Sequence, residues 1–229
     1  MATAGMEPHE CACIVCLDSE PPPIQSGCAC RSDTGLAHVG CLVEKAVAQQ
    51  PHRGNAVWWE CQTCGQHFTG AMRTGLAEAW WSRVCDEAEE SAERLAAAHN
   101  LGAARHSDGR YAEAESIHRE VLGARRRVLG EEHPDTLTSA GNLAASLSNQ
   151  GKHAEAERIF RGVLGARRRV LGEEHPQTLT TRNNLGWRSR TKGRALRLRK
   201  CSRLRLQRNG ACSGAPTLTR FSLPRPWSL

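Results

Sequence analysis

Between Cys13 and Cys64 the sequence sets out four pairs of soft metal donors: Cys13-x-x-Cys16, Cys28-x-Cys30, His38-x-x-Cys41 and Cys61-x-x-Cys64. Thiolate and imidazole bind zinc tetrahedrally, so eight such donors complete two four-coordinate sites, two Zn2+ in all. Donors one or two residues apart reach one ion from a single tight turn, so each pair is half a site. Cys11-Ala-Cys13 precedes Cys16, and the two-residue spacing selects Cys13 over Cys11. The spare His52 and His67 are expected as solvated loop residues. A stretch this short buries too little surface to fold on apolar contacts alone. Metal makes up the difference, at roughly 10–16 kcal/mol per structural zinc.

The elements around these donors follow from composition and period. Aromatics are 4% of the 229 residues, which argues against one large core and for several small units. Of 11 cysteines, seven lie in the donor array; a disulfide framework would need an oxidising compartment. The first ten residues have no basic flank or apolar core, so no secretory signal is expected there. No apolar run reaches the ~18–20 residues of a membrane span. The expected setting is a reducing cytoplasm, with the nucleus as the alternative. The net charge of +7 is unevenly placed: from Arg188 onward there are twelve Lys or Arg and no acid. The folded part is therefore acidic on balance, and whole-chain charge says little about nucleic-acid binding by it.

Four segments are expected: a zinc domain over 11–70, a connecting helix over 71–94, helical repeats over 95–187 and a basic tail over 188–229. Pro21-Pro22-Pro23 and scattered glycines make the zinc domain loop-rich, with one helix from Leu42 to Gln50. In the connector, Leu76, Trp80, Val84 and Ala88 recur at four-residue steps, a packing stripe. Trp80 and Trp81 are expected to anchor the zinc domain to this helix. Cys85 has no base partner in sight and is expected as a buried thiol, not a nucleophile. Val121 to Pro134 recurs unchanged at Val163 to Pro176, an offset of 42 that also aligns Asn100, Asn142 and Asn184. A fixed period of this size means stacked helical units. Leu137, Ala140, Leu143, Ala144 and Leu147 mark a first helix after Pro134; Gly151 breaks it; Ala156 to Leu171 form a longer second. The arginine triplets 125–127 and 167–169 fall in register, as solvated faces, as a basic ledge for acidic peptides or, least favoured, as a direct nucleic-acid contact.

Two resemblances rest on these residues. The spacing Cys28-x-Cys30, seven residues, His38-x-x-Cys41, with Cys61-Gln-Thr-Cys64-Gly-Gln-His-Phe68 at the end, resembles the RING-CH variant of the RING finger over Cys13 to Phe68. The resemblance implies a cross-brace, with Cys13, Cys16, His38 and Cys41 on one zinc and Cys28, Cys30, Cys61 and Cys64 on the other. It also implies closed structural sites and ubiquitin ligase function. A ubiquitin-conjugating enzyme would be recruited through exposed apolar residues, here Ile14 and Val15. The alternatives are an inert zinc-stapled scaffold and a PHD-type histone reader; the second is disfavoured because residues 1–57 hold no aromatic for a methyl-lysine cage. The 42-residue period, Ala-Glu-Ala-Glu and Leu-Gly-x-x-His-Pro resemble the tetratricopeptide repeats of kinesin light chains over Leu95 to Gly186. This implies a protein- or peptide-binding surface. The fold class expected is thus a small two-zinc cross-brace domain plus an all-α tetratricopeptide-type repeat, with a disordered tail. For that tail, a basic arm, a nuclear-import or nucleic-acid patch and translation past the true frame all remain open.

Overall fold

A computed structural model describes residues 12–25 and 36–185; Cys11, Cys28, Cys30 and everything from 186 onward lie outside the described residues. A short antiparallel ladder pairs β1 (Ile24–Gln25) with β2 (Leu36–Ala37), Ile24 opposite Ala37. There follow α1 (Val39–Arg53), a 3-10 turn (Asn55–Trp58) and α2 (Gly70–Val84). Two helical pairs come next: α3 (Ala92–Ser107) with α4 (Tyr111–Leu129), and α5 (Pro134–Asn149) with α6 (His153–Leu171). Residues 176–185 are again helical.

The repeated Leu-Gly-Glu-Glu-His-Pro motif is a stop followed by a start. Gly130 and Gly172 take φ of 87° and 88°, a left-handed conformation that costs glycine little and ends each long helix. Three residues on, His133 caps the next helix, its Nδ1 accepting from the Asp135 N–H at 3.2 Å; His175 does the same for Gln177. The proline after each histidine sits in the first turn, where its missing N–H is not needed. The apolar spacing then buries one face: Leu137, Ala140, Leu143, Ala144 and Leu147 of α5 pack with Phe160 and Val163 of α6. Val170, expected in the second helix's apolar set, is half exposed.

The connector is not one helix. α2 stops at Val84 and α3 starts at Ala92, because Ser91 caps a new helix by accepting from the Arg94 N–H. Leu76, Trp80 and Val84 are buried as the stripe requires, but Ala88 lies exposed in the break. Nor is Cys85 buried; it is half-buried beside Ser82 and Asp86. The zinc-domain helix is longer than Leu42–Gln50, running to Arg53 with Pro51 and His52 in its last turn.

One apolar core runs from the first segment into the repeats. It joins Cys13, Leu42, Val57, Trp58 and Phe68 to Met72, Leu76 and Trp80 of α2 and to Ala97 of α3. The Trp58 and Trp80 rings stack, centroids 5.7 Å apart and planes 1° from parallel. Their indole N–H groups are satisfied close by: Trp58 donates to Gln50 Oε1 at 3.0 Å and Trp80 to Glu93 Oε1 at 3.3 Å. Gln50 also donates to Glu93, so α1, α2 and α3 meet at one carboxylate. Gly75 lets α1 and α2 approach: a Cβ there would stand 2.6 Å from Val39 Cγ1. Among the described residues no helix is long and apolar enough to cross a membrane.

Candidate metal centre and repeat groove

The first four donors converge. Cys13, Cys16, His38 and Cys41 place one ligand atom each so that all lie within 4.8 Å of one another. The turn after Cys13 carries Cys16, and His38 stands immediately before α1, whose first turn carries Cys41. Pro21 O can only accept, so His38 Nε2 must be the protonated nitrogen that bonds it. That leaves the Nδ1 lone pair facing Cys16 Sγ at 3.3 Å and Cys41 Sγ at 3.6 Å. A histidine whose far N–H is held by a carbonyl is the usual oriented metal ligand.

The sulfurs are electrostatically unequal. Burial opposes charge on Cys13, but the backbone N–H groups of Cys16, His38 and Val15 outweigh it and hold the thiol down to about 6. Val15 N and His38 N each approach its sulfur at 3.4 Å. Cys41 is pushed up to about 12, first by burial and then by interaction with the Cys16 and Cys13 sulfurs. A divalent cation held by these residues would favour the thiolate at each sulfur, Cys41 included, since ligation requires thiolate. Three cysteine sulfurs beside an imidazole suit zinc by donor chemistry.

Cys61 and Cys64 occupy a second tight turn. Gly65, at φ 69°, donates to Cys61 O at 2.8 Å, and Cys61 N donates to Gln66 O at 2.8 Å. Their expected co-ligands Cys28 and Cys30 lie outside the described residues. Ile14 and Val15 are 44% and 41% exposed beside the first cluster, with Leu17 at 78%. Trp58 is buried in its stack and Trp59 leans on Trp80, centroids 5.8 Å apart, so both are committed to packing.

A groove of about 890 Å³ runs along the first helix of each pair. α3 lines it with His99 and Asn100, α5 with Thr138 and Asn142, and Gln177 follows from the next helix. Arg73 of α2 lines it too, bonded to Ser107 Oγ at 2.8 Å. A second cavity of about 240 Å³ continues beside it, lined by Phe160, Arg167 and Asn184. His99 and His118 lie side by side, centroids 5.7 Å apart, each with a buried Nδ1 that has no partner. Burial, then the charge of Arg125, holds His99 down to about 3; burial, then His106 and Arg125, holds His118 down to about 4. Both are therefore neutral at ordinary pH. His118 packs over Gly102, where a Cβ would meet its Cε1 at 2.7 Å.

The arginine triplets split by direction. Arg126 and Arg168 pair outward with Glu131 and Glu173, and Arg127 and Arg169 with Glu89, Glu90 and Glu132. Arg125 and Arg167 turn inward, 9% and 7% exposed. Arg125 Nη1 donates to Asp135 O at 3.1 Å and Ser139 Oγ at 2.8 Å; Arg167 Nη1 repeats this with Gln177 O at 3.1 Å and Thr181 Oγ1 at 2.7 Å. Sequence period places the triplets in register but does not say which member faces in. The helical phase relative to buried Val121 and Ala124 carries that signal.

Comparison with protein families matches a tetratricopeptide repeat model to residues 93–161 and 139–195. No curated protein matched the chain. Among solved structures, the chain is similar to nearly identical TPR-like repeats from Podosopora anserina, whose description assigns them to a kinesin light chain. That likeness is 22% identity over 68% of this chain and 67% of the other, TM-score 0.49. A point variant of those repeats gives 20% identity over 73% and 84%, TM-score 0.48. The described helices from residue 93 on form a tetratricopeptide-type repeat stack.

Proposed function

We propose that this chain is a protein–protein interaction scaffold in which a metal-stapled Cys/His module stands at the head of a tetratricopeptide stack. The observation that carries the reading is the groove along α3 and α5, polar, about 890 Å³, and built from the repeated helices. The module is read as holding two zinc ions, the first on Cys13, Cys16, His38 and Cys41, the second on Cys61 and Cys64 with Cys28 and Cys30. Closed four-ligand zinc would supply folding energy and no activated water. The test is quantitative affinity purification with the intact chain and with Ala145→Arg, which fills the groove without touching the metal donors. Partners lost with the substitution support the scaffold; an unchanged set of partners ends it.

A second reading, ubiquitin ligase function of RING-CH type, is favoured by one observation: the exposed apolar Ile14, Val15 and Leu17 on the loop that carries Cys13 and Cys16. Apolar side chains exposed on a rigid loop suit a shallow apolar partner such as a ubiquitin-conjugating enzyme. Full-length protein with activating enzyme, a panel of conjugating enzymes and ubiquitin would form chains, and Val15→Arg would stop them without releasing metal. Silence across the panel with metal bound leaves the scaffold alone.

A further inference from the structure

We propose that the outward sides of α4 and α6 pair with the same sides of a second copy of this chain, closing a two-fold dimer through Glu120 and Arg158. This goes beyond the scaffold reading and does not depend on it. The surface belongs to the second helix of each pair and faces outward, whereas the groove follows the first helices.

α4 and α6 are 19 residues each and carry nearly the same sequence. They differ at four positions. Tyr111 and His153 open the helices, His118 and Phe160 are buried, and the remaining two changes are exposed. Where α4 has Ser116 and Glu120, α6 has Arg158 and Gly162. Residues four apart share one side of a helix. Each helix therefore shows one long charged side chain and one short one, in opposite order and with opposite sign.

Those two charges are the ones the fold leaves over. Every other glutamate and every other outward arginine of the two helices has an ion pair. Glu120 takes only the Ser116 hydroxyl, at 3.3 Å, and Arg158 has no hydrogen bond or ion pair among the described residues. α4 and α6 are neighbours, with Arg119 and Glu155 3.7 Å apart, and they flank a cavity of about 540 Å³. Leu122, Ile159 and Val163 line it, and at Gly162 an added Cβ would meet nothing within 4 Å. Most soluble dimers close on a two-fold axis, and such an interface matches one patch with itself. An axis lying in the surface between α4 and α6, parallel to both, sets α4 of one copy against α6 of the other, at the same level and in the same direction. Glu120 then stands over Gly162 of the other copy, and Arg158 over its Ser116. Each long side chain meets a short one. Glu120 and the opposing Arg158 lie one helical turn apart, within reach of an arginine side chain. The symmetry makes this pair twice, and the two cavities face each other across the axis. An unrelated protein would have to bring both charges and both recesses; a second copy already has them.

The experiment is sedimentation equilibrium of full-length, metal-loaded protein over a concentration series. A reversible two-copy species with nothing larger is expected, dissociating in the micromolar range because the contact is polar. Glu120→Arg and Arg158→Glu should each weaken association about tenfold, since each reversal sets like charges together twice. Mixed in equal amounts, the two variants should recover the original affinity as a mixed pair, because opposite charges then meet again on both sides. Ala145→Arg, in the groove, should leave association unchanged. Both reversed positions are exposed, and circular dichroism checks that each variant is folded. Protein still single at about 100 μM, or open-ended association beyond two copies, overturns the proposal. So does a dimer that ignores either reversal, or a pair of folded variants that stay apart when mixed. A dimer lost with Ala145→Arg moves the contact to the groove and overturns it too. None of these outcomes depends on the groove's partners, so the scaffold reading is judged separately.

Discussion

The module and the repeats solve the same problem with different material. Residues 134–171 bury a dense periodic face, Leu137 to Leu147 on one helix against Ala156, Phe160 and Val163 on the next. The module buries Leu42, Ala46, Val57, Trp58 and Phe68, and extends its core by leaning on α2. Its remaining cohesion comes from convergent polar groups: four donor atoms within 4.8 Å and a carboxylate shared by three helices. Periodic apolar packing is distributed, so no single side chain decides it. Convergent polar packing is concentrated, so single residues do. The comparison teaches where each region should fail.

The largest effect should come from the donors. On the two-zinc reading, Cys41→Ser should release the first metal and loosen the module around that site, because structural zinc is worth about 10–16 kcal/mol. Native mass spectrometry should lose one ion while far-UV circular dichroism keeps most of its helical signal. Loss of the repeats' helicity as well would break the contrast. Next is Trp80→Ala, which empties a fully buried position under Trp58 and should cost about 3–5 kcal/mol. Because α2 packs on both regions, module and repeats should melt earlier together; a shift in one alone would show that they are energetically separate. Gly75→Ala and Gly102→Ala sharpen the map by overpacking, at about 1–3 kcal/mol each. The first drives a Cβ into Val39 at the α1–α2 contact and the second into His118 inside the repeats.

Acid should separate the regions differently. His99 and His118 take up a proton near 6.5 when unfolded but only near 3 and 4 when folded. The unfolded chain therefore binds more protons as pH falls below about 6.5, and repeat stability should fall with it. Glu115 adds a lower window. Burial raises it, but hydrogen bonds from Lys152, Arg119 and Gln150 outweigh burial and hold it down to about 2. Its stabilisation is present above the ordinary value of 4.5 and is lost as pH falls towards 2. Melts from pH 7 to 5 should steepen this way, and His99→Gln with His118→Gln should flatten the slope. The smallest effect should be Arg127→Ala, whose ion pairs with Glu89 and Glu90 lie on the exposed surface; no shift in the melt is expected.

What could be read in advance follows the same division. The repeat helices were legible because glycine stops, the His-Pro start and a 3.6-residue apolar period all agree over 134–171. The break at 85–91 was not, since no glycine or proline marks it. Ser91 caps there through a bond that four-residue spacing does not reveal, and Asp86 to Glu90 suit a helix as well as a turn. Around the first cluster, cysteine and histidine spacing picked out residues that the fold brings together. Of the second set, Cys61 and Cys64 share one tight turn, and Cys28 and Cys30 lie outside the described residues. The groove was illegible for a plain reason. Its wall and floor come from residues 59–73, 96–145 and 177, and no local pattern in a sequence brings those together.

The inward arginines carry one further consequence, for the order in which the chain assembles. Arg125 reaches residues 10 and 14 positions ahead, and Arg167 does the same in the next unit. Each link can close as soon as the first turns of the following helix exist. Such short sequence separation makes for a low contact order and fast, nearest-neighbour propagation. The module's joins are longer than these arginine links, 25 residues from His38 N to Cys13 Sγ and 43 from Gln50 to Glu93. On a chain emerging from its N-terminus, each repeat can therefore lock onto the one before it as it is made. The module, although synthesised first, must wait for the start of α3 before its last joint can form.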